Sequence, residues 1–327
     1  MHAARHYTLR EVMAWTSRET AVFLAASAVP TVLFAVAGWT WMGVPWQPIA
    51  LLGTAVAFVT GFKNNAAYAR LWEGRQVWGG IINSSRTFAV LVLDFIPEPA
   101  AQKRIFHRHF AWLTALRYQL REPRVWENQT RSYNAEFRRK FRVAESELPL
   151  EPELARLLQD EEYAYILARK NRAAQLIHVQ SQDLRRSAEA SIAGELRHIE
   201  MQRQLAAFLD AQGRCERLKN YPYPRQFATL NLLFVWIFVL ALPFGLLPEL
   251  QKLGGRAVWL TIPASTLIAW VFHTMDKIGE SSENPFEGGP NDVPITAMSR
   301  TIEIDMREML GETELPPAVQ AVNNILM

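Results

Sequence analysis

Residues 20–62 read TAVFLAASAVPTVLFAVAGWTWMGVPWQPIALLGTAVAFVTGF, with no Asp, Glu, Lys or Arg in the stretch. A membrane-crossing helix needs about 20 predominantly apolar residues, so a run of twice that length predicts two passes separated by a short turn. The turn falls where Gly43, Pro45 and Pro48 interrupt the helical pattern. Trp39, Trp41 and Trp46 supply the aromatic side chains that collect at a membrane surface. Helices are therefore expected at about 21–39 and at about 48–62 or beyond. Working outward, two more uncharged runs, Phe227 to Pro248 and Ala257 to Met275, predict passes at about 227–247 and 257–272 joined by Pro248 through Arg256. Four passes return both termini to one side.

The 327-residue chain is half hydrophobic and only 20 % charged, and it contains 11 Trp, which excludes a disordered, collagen-like or disulfide-stapled protein. Its mean hydropathy of -0.04 looks soluble only because an Arg-dense middle offsets the apolar runs. About 23 of the 35 Lys and Arg lie between Ala101 and Gln226, whereas the two short connections carry none and two. The positive-inside rule then predicts that the middle segment and both termini are cytoplasmic. Buried core helices are the competing reading, but helices of this size normally show a polar face. A secretory signal cut after Ala35-Val36-Ala37 is another, but the apolar run continues past that point into a second segment. Cys215 is alone, which rules out an intrachain disulfide or a thiolate metal cluster.

Between the apolar runs the pattern is helical. Ser17-Arg18-Glu19-Thr20 offers a start for the first helix. From Lys63 to Arg86, the residues Ala67, Leu71, Val77, Trp78, Ile81 and Ile82 recur near helical spacing with no Pro, so the second membrane helix is expected to continue out of the bilayer. Further helical runs are expected over Thr87 to Phe95, about Lys103 to Leu120, Leu150 to Ala168 and about Gln175 to Leu218. The fold class is all-α, with four membrane helices continuous with a helical cytosolic part over about 63–226 and 273–327, read as a single domain over residues 1–327. The run Phe137-Arg138-Arg139-Lys140-Phe141-Arg142 reads as a solvated helix surface near anionic lipid. Acids are interspersed and the formal net charge is only +3, so no nucleic-acid partner is expected.

Catalytic motifs are missing: there is no phosphate-binding glycine loop, GxSxG elbow, HExxH or CxxC. His107 and His109, two apart, point to different faces of a helix and read as surface histidines. The acids Glu280, Glu283, Asp292, Glu303 and Asp305 are the one candidate catalytic group, although Glu303, Asp305 and Glu308 also suit the start of the last helix. No enzyme is expected and no cofactor is implied. Thr54, Phe58 and Phe62 are spaced four apart and stack on one helix face over about 12 Å. Such a stripe lines a path or packs against neighbouring helices, and spacing alone leaves both open.

The residues that follow carry a resemblance. Gly61-Phe62-Lys63-Asn64-Asn65-Ala66-Ala67-Tyr68-Ala69-Arg70-Leu71-Trp72-Glu73-Gly74-Arg75, then Trp78-Gly79 and Asn83-Ser84-Ser85-Arg86, resemble the signature of prokaryotic bestrophin channels. Tyr221-Pro222-Tyr223-Pro224 leading to Leu242-Pro243-Phe244-Gly245-Leu246 resembles that family's entry into its third membrane helix. Asn284-Pro285-Phe286, Asn291-Asp292-Val293-Pro294 and Thr301-Ile302-Glu303 resemble its post-membrane loop and last helix.

The resemblance implies a ring-shaped homopentamer in the cell inner membrane, with the pore running between second helices. It implies small monovalent ions, chloride and other anions foremost, as the permeant species, with the lipid bilayer and further copies of the chain as partners. By position, Thr54, Phe58 and Phe62 would form a narrow neck, and a cytosolic aperture would fall within 171–177, at Ala174, Leu176 and Ile177. A ring of apolar side chains gates by dewetting, and phenyl edges carry partial positive charge that tolerates an anion. Thr54 departs from the usual apolar residue and is expected to wet the outer ring.

Animal members bind calcium in the post-membrane loop. Here Asn284 and Asp292 match that clasp, but Gly288 and Gly289 stand where further acids are expected, so no calcium activation is predicted. A cation-selective channel of the same architecture, a membrane enzyme centred on Asp292, and a scaffold without transport are the alternatives.

Overall fold

The computed structural model describes residues 1–128, 131, 134, 138–189 and 194–327. Among them the chain is helical with no β-strand. It divides into two compact units: a membrane unit, Ala4–Arg70 with Pro222–Glu283, and a second unit, Met1–Ala3 with Leu71–Tyr221 and Asn284–Met327.

The membrane unit holds the four helices long and apolar enough to cross a bilayer. Helix α1, Leu9–Ala35, starts well before the expected Ser17-Thr20 signal, because Thr8 and Glu11 form a reciprocal capping box. The Thr8 hydroxyl accepts from the Glu11 amide at 3.3 Å, while the Thr8 amide donates to Glu11 Oε2 at 2.8 Å. After Gly38, at φ +73°, and a 3₁₀ turn over Thr40–Met42, helix α2 runs unbroken from Trp46 to Phe95. Its 50 residues span about 75 Å, so the expected extension past Lys63 and the run to Phe95 are one element.

Helix α9, Arg225–Gln251, passes straight through Pro248, where a chain reversal was expected. Proline cannot donate to the carbonyl four residues back, which would leave that of Phe244 unpaired. The amide of Val44 donates to it at 3.0 Å, so the hairpin between α1 and α2 repairs the gap and the helix continues. Helix α10, Thr261–Ser282, preceded by a 3₁₀ turn at Ala257–Leu260, extends ten residues beyond the expected end. Phe23, Ile49, Val56, Val235, Phe238, Leu242 and Ala269 form the core of this unit.

In the second unit, α3 (Pro99–Arg121) carries a buried face around Trp112 and Leu116. Three short helices follow: α4 (Ala144–Glu147), α5 (Leu150–Ala155) and α6 (Asp160–Leu167). The single helix expected over 150–168 is thus broken after Ala155, with Asp160, Glu161 and Glu162 opening α6, where acids favour the helix dipole. The amphipathic stretch expected over 175–218 is two helices, α7 (Arg172–Glu189) and α8 (Gly194–Asn220), residues 190–193 lying outside the described ones. Helix α11, Ile295–Met309, is the last. Phe137, which opens the basic run, is also outside the described residues. From Arg139 that run is turn rather than helix surface, and Phe141 is buried with Val143, Ile325 and Met327.

Candidate functional site

Between Trp46 and Arg70, α2 has two distinct faces. Gly53, Val56, Thr60, Lys63 and Ala67 recur at helical spacing and are buried. Gly53 is needed there, since a Cβ would lie 2.7 Å from Phe238 Cε2 on α9. Thr54, Phe58 and Phe62 occupy the other face and are exposed, Phe58 at 68 % and Phe62 at 59 %. The stripe therefore does not pack against the chain's own core. The two phenyl rings meet edge to face, centroids 4.6 Å apart at 86°, the arrangement ring quadrupoles prefer. Thr54 Oγ1 donates to the Ala50 carbonyl at 3.0 Å, so its proton stays with the backbone and its outward side offers lone pairs and a methyl.

Behind the stripe lies a polar network that the apolar pattern did not reveal. Lys63 Nζ and Asn231 Nδ2 both donate to Asp276 Oδ1 at 2.6 Å, and Thr60 Oγ1 donates to Asn231 Oδ1 at 3.1 Å. The Lys63 and Asp276 side chains are 4 % and 1 % exposed. Next along α10, Lys277 Nζ donates to the Trp15 carbonyl at 2.6 Å and to Glu19 at 3.0 Å. Charges inside an apolar helix bundle cost several kcal/mol each unless paired, and here α2, α9 and α10 each supply a partner. The sequence signal was a lone cation closing the uncharged run of α2 and an acid–base doublet closing that of α10. At the same unit's end, Glu283 accepts from Arg225, and its carbonyl accepts from Arg70 Nε at 2.9 Å.

The post-membrane loop belongs to the second unit. Asp292 Oδ2 accepts from the Gly288 amide at 2.7 Å and from Arg121 at 3.2 Å. Glu287 Oε2 accepts from the Asn128 amide at 3.0 Å and from Asn284 Nδ2 at 3.3 Å. Calcium asks for six to eight oxygen ligands. A guanidinium already holds the cation position beside Asp292, and the Asn284 amide nitrogen faces a carboxylate, so these residues do not fit calcium. Titrating free calcium against single-channel current is expected to leave opening unchanged; a steep micromolar response would overturn this.

Burial, then the nearby Asp292 charge, pushes the Glu287 carboxyl up to about 8. The native state therefore keeps a proton that the unfolded chain releases near 4.5. The resulting stability is complete below that value and is lost as pH rises through about 8. Glu287→Gln is expected to flatten the fall in unfolding midpoint between about pH 5 and pH 9. Parallel midpoint curves for the two proteins would contradict it.

The other sequence-nominated residues are placed as follows. Leu176 and Ile177 are buried in the core of the second unit, and Ala174 is half-buried. On α7 the residues at 173, 176, 177, 180 and 184 form the face turned into the subunit. His109 is likewise buried rather than on the surface, 2.9 Å from Ser85 Oγ, and burial pushes it down to about 3, so it stays neutral. Four of the five candidate catalytic acids are held by guanidinium groups: Glu283 by Arg225, Asp292 by Arg121, Glu303 by Arg300 and Arg307, and Asp305 by Arg86. Among the described residues no group of three or more His, Cys, Asp or Glu is placed to hold a metal ion. Burial raises the Cys215 thiol well above its usual range.

Four helices apolar enough to cross a bilayer, one of them running far beyond membrane length with an exposed aromatic stripe, define a helical membrane protein. The chain belongs to the bestrophin family: the model described as Bacterial/Fungal Bestrophin protein matches residues 9–308. Its curated relatives are channels rather than enzymes. The voltage-dependent anion channel-forming protein YneE of Escherichia coli is 26 % identical over 325 residues, covering 96 % of this chain and 95 % of that protein. A voltage-dependent anion channel-forming protein of Ralstonia nicotianae is 28 % identical, covering 82 % and 78 %. The crystal structure of a bacterial bestrophin homologue from Klebsiella pneumoniae superposes with a TM-score of 0.78 at 25 % identity, covering 91 % of this chain and 99 % of that one.

Proposed function

We propose that the chain is one subunit of a homopentameric channel that conducts small monovalent anions, chloride foremost, across the cell inner membrane with both termini cytoplasmic. The observation that carries this reading is the two-faced α2: its inward face is buried, and Thr54, Phe58 and Phe62 are left exposed by the described residues. One subunit leaves no internal aqueous path through its apolar core, so a conduit requires several copies around an axis. Placed there, Phe58 and Phe62 form successive dewetting rings whose edges favour an anion. The Thr54 ring adds wetted lone pairs at one end. The names of the curated relatives, as anion channel-forming proteins, support the same ion class.

The test is the reversal potential of purified protein in planar bilayers. Under a tenfold potassium chloride gradient it is expected near the chloride equilibrium potential, about 59 mV from zero. A shift of opposite sign identifies a cation channel of the same architecture. A flat baseline favours a scaffold or an enzyme.

A further inference from the structure

The exposed side of α2 does not stop at Phe62. At about 100° and 1.5 Å per residue, Asn65 lies within about 20° of both Thr54 and Phe58 around the helix, and about 4.5 Å beyond Phe62 along it. Between Thr54 and Asn65 the other exposed residues are all Ala, Gly or Phe. Two polar side chains therefore flank the phenyl pair, and they differ in what they can donate. The Thr54 hydroxyl gives its proton to the Ala50 carbonyl. Asn65 is exposed, and among the described residues its amide has no hydrogen-bond partner.

No neighbour on the helix offers the same. Asn64 is turned toward α10, where a Cβ on Gly279 would collide with its Oδ1, and its amide is buried. Lys63 donates to Asp276 behind the stripe. The main-chain N–H groups of this stretch are committed to the helix itself. Open N–H donors on its exposed side thus come from Asn65.

On the channel reading above, we infer that Asn65 is a specificity-determining residue of conduction, its side-chain NH2 group being the first hydrogen-bond donor an anion meets past the phenyl rings. An ion in a dewetted constriction gives up water, which costs free energy unless polar partners stand at the end of the dry stretch. Each Asn65 brings two N–H donors and no formal charge, so an anion is received there without being trapped. Its Oδ1 suits a cation equally, but the adjoining phenyl edges are partially positive and oppose one. Thr54, at the other end, has lone pairs and a methyl to offer. The two ends of the constriction are therefore unequal, and Asn65 marks the donor end.

Relative permeability in planar bilayers tests this, with Asn65→Asp, Asn65→Leu and Asn65→Gln measured beside Phe58→Ala/Phe62→Ala. The Asp variant keeps the shape and puts a carboxylate oxygen in place of the NH2, so the chloride-to-potassium permeability ratio is expected to fall about tenfold or more. The Leu variant removes the donors without adding charge, and chloride conductance should drop about tenfold with the sign of the reversal potential kept. The Gln variant, which restores an NH2, should recover most of the ratio. Asn65 is exposed, so matching unfolding midpoints will show that the fold is kept. An unchanged ratio in the Asp variant, or full conductance in the Leu variant, while the phenyl double variant still raises flux, would overturn the inference and leave the neck in place. A phenyl double variant without effect on flux would remove the neck, and this inference with it.

Discussion

Replacing Phe58 and Phe62 together by alanine is expected to raise chloride efflux from proteoliposomes by about tenfold or more, because dewetting barriers collapse once the apolar constriction widens. Each phenyl group is exposed on the subunit, so its removal leaves no cavity in the chain's own core and the fold should survive. The single variants should each raise flux by less, since the edge-to-face pair at 4.6 Å loses only one of its two rings. Phe227→Ala is the control: this aromatic is also exposed but sits at the start of α9 rather than on α2, and its loss should leave flux unchanged. Equal flux in the double variant and the unaltered protein, or an equal rise in the Phe227 control, would remove the stripe from the conduction path.

Cutting the Lys63–Asp276 pair is expected to destabilise the protein by about 3–5 kcal/mol, the usual cost of stranding one buried charge. Lys63→Met leaves the Asp276 carboxylate with Asn231 as its remaining side-chain partner, and Asp276→Asn leaves a buried ammonium facing an amide. The double variant Lys63→Met/Asp276→Leu should recover most of the loss, because well-packed apolar groups often replace a buried ion pair at little cost. Denaturant unfolding in detergent measures all three. Losses that simply add in the double variant would show that the two residues act independently. Lys63 directly follows Phe62, so the single variants should also alter efflux by letting α2 rotate about its axis.

Much of the fold was legible because its signals are local. Uncharged runs marked the four membrane helices, and 3.6-residue spacing carried α2 to Arg86, whereas its union with the run over Thr87 to Phe95 came from the structure. Helix ends were less legible. The first helix begins at Leu9 because Thr8 and Glu11 cap each other, rather than at the expected Ser17-Thr20 start. Pro248 reads as a stop, and only a donor from Val44, some two hundred residues earlier, lets α9 pass through it. In the 171–177 segment the residues were nominated by resemblance, which does not give the direction of a side chain, and Leu176 and Ile177 face the core of the subunit. His109 was misplaced because spacing separates two residues on a helix without saying which one meets the interior.

The amino-acid sequence alone determined that this chain is helical, that four of its segments are apolar enough for a bilayer, and that Thr54, Phe58 and Phe62 share one side of a helix. These follow from hydrophobicity and helical pitch, which neighbouring residues set among themselves. Only the tertiary structure decided that this side is the one left uncovered and that Lys63 meets Asp276 across 213 residues of chain. Burial and charge pairing depend on which surfaces meet in space. That choice is made by packing among distant segments, which no local pattern encodes.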